Sequence, residues 1–394
     1  MFAIRITAAT AAGPPMPPMV IDLRRAEDAR DVVHRAVQAL AEGRLVAFPT
    51  ETDYVIAASG RSAAAAAALA RLAGERDGEP ALSLVLRSHD EAIDWAPLMP
   101  AVGLRLARRC WPGPVALLVP DNHAESLVRR LPDAVRLAAV SSGRLWLRLP
   151  GHPLLADCLR MMAGPVVLAE PAAPAGGPAV TAADVIAAAG PDLALAIDDG
   201  RTRYAQSAST ILVDGGTFRV VRPGVVSEET LRRLASLVVL FVCTGNTCRS
   251  PMAEAAFRTL VAERLGCAPD EIEAHGVVAA SAGVAAWAGG RASEHAVAVA
   301  QEMGADLGAH ESQPVTEALV RQADVILTMT AAHRAALLAQ FPEAGGRVAL
   351  LSAERQDVID PIGGSLDTYR RCARQIREHL AARLDTLLRD VPSG

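Results

Sequence analysis

The sequence predicts two domains. Residues 21–236 read as an α+β half with a twisted mixed sheet. Residues 237–390 read as an α/β half with a small doubly wound parallel sheet and a phosphate-binding loop, and residues 1–20 as a disordered leader. Three observations carry this reading. At 394 residues the chain is long enough for two separate cores. Its first half mixes helices and strands with long helix-rich insertions and closes on two strands around Gly215-Gly216. Its second half alternates strand and helix, the pattern of a parallel sheet whose ligand sits beyond the carboxyl ends of the strands.

Composition is that of a globular protein, with 51% apolar residues and 3% aromatic. A net charge of −5 gives no global attraction to nucleic acid or to an anionic membrane. Every basic side chain is Arg or His, for the chain has no lysine. Cys110, Cys158, Cys243, Cys248, Cys267 and Cys372 have neither the density of a disulfide framework nor paired zinc spacing. The leader is rich in Ala and Pro, holds the single charge Arg5, and lacks the apolar core of a signal peptide. No stretch has the length of a membrane span, and the alanine run from Ala63 to Leu69 reads as helix. A cytoplasmic enzyme without membrane partners is the expectation.

In chain order, Ala29–Ala41 reads as a helix, Arg44–Pro49 as a strand, Ser62–Ala73 as a helix and Leu82–Leu86 as a strand. Leu145–Pro150 alternates apolar and longer side chains, Thr181–Ala189 is a short helix, and Thr210–Asp214 and Phe218–Gly224 are strands. In the second half, strands are expected at Val238–Cys243, Val277–Gly283, Ala323–Met329 and Arg347–Leu351. Helices follow them at Met252 onward, Ala292–Met303, His333–Gln340 and Ser365–Leu388, with Pro251 at the first helical position.

The most informative stretch is Val238-Val239-Leu240-Phe241-Val242-Cys243-Thr244-Gly245-Asn246-Thr247-Cys248-Arg249-Ser250-Pro251. It reads as strand, anion-binding loop and helix start. A loop of this length can turn successive N–H groups inward as a nest for a tetrahedral anion, and the helix N-terminus adds its positive dipole end. The same donors stabilise a thiolate, which makes Cys243 a nucleophile near neutral pH. Arg249 brings a planar fork suited to two phosphoryl oxygens. Asn246 suits a left-handed backbone position, and Ser250 has a hydroxyl to offer the sulfur. A strand-end cysteine is also a common buried residue, so spacing alone leaves a structural role open.

With the helix start Ser250-Pro251-Met252-Ala253-Glu254, this loop resembles the signature of the low-molecular-weight protein tyrosine phosphatases, and most of all their bacterial protein-arginine phosphatase branch. The resemblance implies a cysteine-dependent protein phosphatase that passes through a phosphocysteine, with phosphorylated proteins as partners and neither metal nor cofactor. It implies Cys243 and Arg249 as catalytic, with Thr244, Gly245, Asn246, Thr247, Cys248 and Ser250 around the phosphate.

Such chemistry needs an acid for the leaving group and then a base for water. Asp360, in Asp360-Pro361-Ile362-Gly363-Gly364-Ser365, lies in the loop between the last strand and last helix. An Asp-Pro by itself reads as a turn or cap; the family resemblance implies the general acid here, and the continuation to Tyr369 resembles the arginine branch. Asp357 is the second candidate and reads as a solvated loop charge. Thr247 stands where tyrosine-directed relatives tend to carry a bulky aliphatic residue, so phosphoarginine is the expected substrate and phosphotyrosine the alternative. Ile362 stands where that branch has an aromatic residue. Cys248 is a possible redox partner of Cys243. His275, His295, His310 and His333 read as surface or cap residues.

In the first half, Phe48-Pro49-Thr50-Glu51-Thr52-Asp53-Tyr54, Trp111-Pro112-Gly113-Pro114-Val115, Arg148-Leu149-Pro150-Gly151-His152-Pro153, Ala208-Ser209-Thr210 and Val221-Arg222-Pro223-Gly224 resemble, in order, the YrdC-like fold of threonylcarbamoyl-adenylate synthases. The stretch corresponding to that family's Lys-x-Arg pair is Ala73-Gly74-Glu75-Arg76-Asp77-Gly78-Glu79-Pro80, its Ser-Ala-Asn phrase falls on Pro171-Ala172-Ala173, and the glycine after its tyrosine on Val55. A triphosphate site that has lost its lysine and gained carboxylates repels its substrate. The expectation is a YrdC-like domain without synthase activity, with Thr50, Thr52, Ser209 and Arg222 framing what is left. A nucleotide or RNA ligand there, in a tRNA-modification fusion, is the alternative.

Overall fold

A computed structural model of the chain describes residues 17–74, 78–389 and 391. Residues 1–16 of the leader and Glu75, Arg76 and Asp77 lie outside these. The chain divides into two compact units. One holds residues up to Met99, Cys110–Asp214 and Arg219–Glu228; the other holds Pro100–Arg109, Gly215–Phe218 and Glu229 onward.

Among the described residues the N-terminal half contributes β1 (Met19–Asp22), β2 (Leu45–Pro49), β3 (Tyr54–Ser59), β4 (Ser83–Val85), β5 (Val115–Pro120), β6 (Val140–Ser141), β7 (Arg144–Arg148), β8 (Val166–Ala169), β9 (Leu193–Asp198), β10 (Ser209–Asp214) and β11 (Thr217–Arg222). They form one sheet in the order β1-β9-β2-β3-β8-β4-β7-β5-β10-β11, with β6 on β7. Pairing is mixed: β2/β9 and β4/β7 are parallel, β2/β3 and β5/β7 antiparallel. The leader ends sooner than expected. Met19 and Val20 already pair in register with Leu195 and Ala196, and Pro17 and Pro18 immediately before them hid a β-prone Met-Val-Ile run.

Helices Ala29–Ala41 and Pro153–Met161 bury Val33, Ala36, Leu40, Leu155 and Leu159 against Phe48, Val55 and Ile197. Their starts follow capping chemistry, as where Asp28 accepts from the Arg30 N–H and Ser62 from the Ala65 N–H of helix Ala63–Ala73.

The C-terminal sheet holds β12 (Leu237–Cys243), β13 (Val277–Gly283), β14 (Val325–Thr328) and β15 (Val348–Leu350). All are parallel, in the order β13-β12-β14-β15. Alternate residues of β12 feed two cores. Val239, Phe241 and Cys243 face helices Arg249–Leu265 and Leu366–Leu387, with Phe241 against Phe257 at 5.5 Å between ring centroids. Leu240 and Val242 face Val320, Leu337 and Phe341 on the other side. Burial on both faces explains why β12 reads as an unbroken apolar run. Strand order reverses at β12, so the crevice beyond its carboxyl end is the switch point where such sheets bind ligands.

Candidate active site

Cys243 is the last residue of β12, and the chain curls from there into the helix Arg249–Leu265. That helix starts at Arg249, two residues before the expected position of Pro251. The difference is small in energy, because proline anywhere in the first turn gives up an N–H that has no intrahelical partner. The curl is held close to β13. A Cβ on Gly283 would lie 2.4 Å from the Thr244 carbonyl oxygen and 2.9 Å from the Asn246 nitrogen, so only glycine fits at that strand end. Asn246 takes the left-handed conformation, with φ of 55°.

The sulfur sits at the base of the curl, and Cys243 as a whole is 3% exposed. The Asn246 N–H points at Sγ over 3.3 Å, and Ser250 Oγ lies 3.0 Å from it. Asn246 and Ser250, both expected among the phosphate-binding residues, have fully buried side chains that brace the loop. Asn246 Nδ2 donates to Ser250 Oγ at 3.0 Å and to Ser281 Oγ at 2.9 Å, while its Oδ1 accepts from the Gln313 N–H at 2.9 Å. Both amide hydrogens are thereby used, and the oxygen accepts one bond. Ser250 has one hydrogen and two acceptors in reach, Sγ and the Ala282 carbonyl at 3.2 Å. It can turn that hydrogen to a thiolate and away from a thiol.

Arg249 and Asp360 meet. Arg249 Nη2 lies 2.8 Å from Asp360 Oδ2, with the arginine side chain buried and the carboxylate half-exposed at the rim. The loop of Asp360 is pinned on both sides: the Val358 N–H donates to the Met329 carbonyl, the Ile359 N–H to Gln375 Oε1 and the Ile362 N–H to Asp360 Oδ1 itself. Asp357, expected as a solvated charge, accepts from the Ala331 N–H at 2.8 Å and caps the helix Ala331–Gln340. Ile362 is 72% exposed and leaves the rim open there.

Thr247 holds the Ser293 N–H through its carbonyl, at 2.9 Å. Cys248 is a free thiol, as is Cys243. Its sulfur is turned to Ser293 Oγ and Tyr369 OH, each at 3.3 Å, while the Cys243 sulfur faces Ser250. Burial pushes the Tyr369 hydroxyl above its usual range, and the contact with Cys248 adds to that.

Two histidines read as surface or cap residues are part of the site. His310 Nε2 donates to the Asn246 carbonyl at 2.8 Å. His333 is buried, with Nε2 at 2.8 Å from Thr244 Oγ1 and Nδ1 at 2.9 Å from Thr330 Oγ1. Burial, then the Arg249 charge, lowers the His333 pKa against the pull of Asp360 and Asp357. Sequence did carry one signal for it: Thr330 is the N-cap and His333 stands three residues later, the position whose side chain reaches back over the cap.

A buried nucleophile-type sulfur, a braced nest and an Arg–Asp pair at its mouth are the parts of phosphoryl transfer through a cysteine. The family model described as low molecular weight phosphotyrosine protein phosphatase matches residues 238–393. That of the Sua5, YciO and YrdC group, described as telomere recombination, matches residues 38–224. A protein-arginine-phosphatase of Bacillus subtilis (strain 168) is 40% identical over 156 residues, 39% of this chain and 97% of that protein. A threonylcarbamoyl-AMP synthase assigned in Mycobacterium tuberculosis (strain CDC 1551 / Oshkosh) is 32% identical over 197 residues, 50% of this chain and 85% of that protein.

The chain belongs to both families, the phosphatases through its C-terminal half and the Sua5/YciO/YrdC group through its N-terminal half. Tyrosine-directed members are similar too: the low molecular weight protein-tyrosine-phosphatase PtpB of Staphylococcus haemolyticus (strain JCSC1435) is 33% identical over 141 residues, 35% of this chain and 91% of that protein.

In the Sua5/YciO/YrdC half, the residues expected to frame a pocket make hydrogen bonds or ion pairs within the domain. Thr50, Thr52 and Ser209 are buried; Thr50 Oγ1 bonds the Asp53 carbonyl and Ser209 Oγ the Val226 carbonyl. Glu170 lies between two arginines, 2.7 Å from Arg148 Nη1 and 2.8 Å from Arg222 Nη1. Arg148 also reaches Asp53 Oδ1 at 3.2 Å. Burial disfavours the Asp53 charge and raises its pKa, and Arg148 only partly offsets this. Val55 is wholly buried within β3.

Proposed function

We propose that the chain is a cysteine-dependent protein phosphatase that works through a phosphocysteine on Cys243, with phosphoarginine in proteins as its preferred substrate. The observation that carries this is the convergence of Arg249 and Asp360, 2.8 Å apart, at the mouth of the loop that holds Cys243. In the first step the thiolate forms an S–P bond as the P–N bond breaks. The electron pair goes to the leaving guanidine nitrogen, which takes the proton of Asp360. Arg249 moves from Asp360 to the equatorial phosphoryl oxygens, and the loop N–H groups hold the rest of the charge. In the second step Asp360 takes a proton from water, water oxygen attacks phosphorus, and the S–P pair returns to Cys243 with the Ser250 hydroxyl turned toward it. Phosphotyrosine would follow the same steps with P–O cleavage.

Thr247 supports the arginine preference, since a hydroxyl at that position suits a polar guanidinium better than a phenyl ring. The test is direct: purified protein offered phosphoarginine and phosphotyrosine peptides should release phosphate faster from the first, and the reverse order rejects the preference. Thr247→Ile should move the ratio of kcat/KM toward phosphotyrosine by about tenfold or more. The reading places the protein in the reducing cytoplasm, because a reactive thiolate is lost to disulfides in an oxidising compartment.

For the N-terminal half we infer a domain without synthase activity. A nucleotide or RNA phosphate would have to displace Glu170 from both Arg148 and Arg222. Incubation with ATP, threonine and bicarbonate should yield no threonylcarbamoyl adenylate; formation of that product overturns the inference.

A further inference from the structure

Beneath the phosphate loop runs a chain of side chains that the mechanism above does not use: Thr330, His333, Thr244. Its hydrogens can be counted. Thr330 Oγ1 accepts the His333 backbone N–H at 3.2 Å and lies 2.9 Å from Nδ1. His333 Nε2 lies 2.8 Å from Thr244 Oγ1, which also stands 3.5 Å from Arg249 Nη2. If Nδ1 carried the imidazole proton, Thr244 would spend its hydrogen on Nε2, and the hydrogen of Thr330 would have no acceptor among these groups. With the proton on Nε2, Thr330 donates to Nδ1, His333 donates to Thr244, and the one hydrogen left over belongs to Thr244. The first arrangement leaves the spare hydrogen on half-buried Thr330, the second on Thr244, which is more open to solvent or a ligand, so the second wins. Thr244 is exposed, next to the guanidinium of Arg249.

We propose that the Thr244 hydroxyl is a substrate-contacting donor to a phosphoryl oxygen, and that His333 is the positioning residue that fixes its direction. Both lone pairs of Thr244 Oγ1 face nitrogen donors, His333 on one side and Arg249 on the other. The hydroxyl therefore serves an oxygen acceptor on phosphorus and has nothing to offer the N–H groups of a guanidinium. Its contribution is to phosphoryl affinity in general, while selection of the phosphorylated side chain rests elsewhere. The inference depends on the loop being the phosphoryl site.

The experiment is calorimetric titration of the full chain with inorganic phosphate, alongside steady-state turnover of 4-nitrophenyl phosphate. Thr244→Val and His333→Leu should each weaken phosphate binding by about tenfold, the loss of one hydrogen bond to a charged acceptor. The double variant should be no weaker than either single one, because His333 acts only through Thr244. His333→Gln, whose amide nitrogen reaches the place of Nε2, should restore binding to within about twofold. In turnover the loss should fall on KM more than on kcat. Unchanged phosphate affinity in Thr244→Val, or additive losses in the double variant, would overturn the proposal. Should His333→Leu not fold, weak binding in Thr244→Val together with retained binding in His333→Gln decides in favour, and any other pairing decides against. A wild-type chain that binds phosphate without turnover would sink the enzymatic reading while leaving this one standing.

Discussion

Asp360 shows how far a single residue can be read. The role proposed for it rests on the family resemblance and on the need of a phosphoryl group leaving from nitrogen or oxygen for a proton, and its loop lies at the carboxyl end of the sheet. Its contact with Arg249 at 2.8 Å puts it at the mouth of the loop. Asp360→Asn should lower kcat/KM on phosphopeptides by about 10²–10⁴ and that on 4-nitrophenyl phosphate less, because kcat/KM reports the first step and that leaving group needs little protonation. Equal losses on both substrates would remove the acid from the account. Cys243 and Arg249 could be singled out from residue type and spacing, and Asp360 through the family resemblance. His310, His333 and Tyr369 were not, because each matters through a contact between distant segments: His310 with Asn246, His333 with Thr244, Tyr369 with Cys248. No spacing in the sequence announces such pairs.

At the scale of elements, the β12 strand, the loop and the following helix act as one piece, and the helix Ala331–Gln340 supports that piece from below through His333. Burial lowers the pKa of this histidine, with Arg249 adding to the shift. The folded state therefore binds its proton later than the unfolded chain as pH falls. The contribution of neutral His333 is fully present above the unfolded value of about 6.5 and is lost as pH drops from there toward the lower folded value. Denaturant midpoints of the wild type should fall more between about pH 7.5 and 5.5 than those of His333→Gln. Identical slopes would mean that His333 titrates as a solvated group. Elements themselves were well read from periodicity and caps: the helix Ala29–Ala41 and strand Val277–Gly283 have the expected ends. The misplaced ones fail for local reasons, Pro251 because the first turn tolerates proline at more than one position, and Met19–Asp22 because prolines precede it.

For the whole molecule, two families meet in one chain, and the Cys243 loop belongs to one half. In the other, Arg148 is shared by Asp53 and Glu170 in the interior. Arg148→Met would take the counter-charge from buried Asp53 and one of two arginines from Glu170, and should cost about 3–5 kcal/mol in denaturant unfolding. A loss below about 1 kcal/mol would show that these charges are solvated. Fold class was legible for both halves from the alternation of elements. The order of the eleven N-terminal strands was not, because each pairing joins residues far apart in sequence and depends on side-chain complementarity that no local pattern records.

The central claim is that phosphorus becomes bonded to Cys243. Rapid denaturing quench of the protein in detergent at neutral to alkaline pH during turnover, which spares the acid-labile S–P bond, followed by peptide mapping by mass spectrometry, is the measurement. A phosphorylated peptide containing Cys243 should form before steady state, accumulate in Asp360→Asn turning over 4-nitrophenyl phosphate, where the first step needs little acid and the second still lacks its base, and be absent from Cys243→Ala, which should be inactive. Turnover by Cys243→Ala, or phosphate found on any other residue, would contradict it.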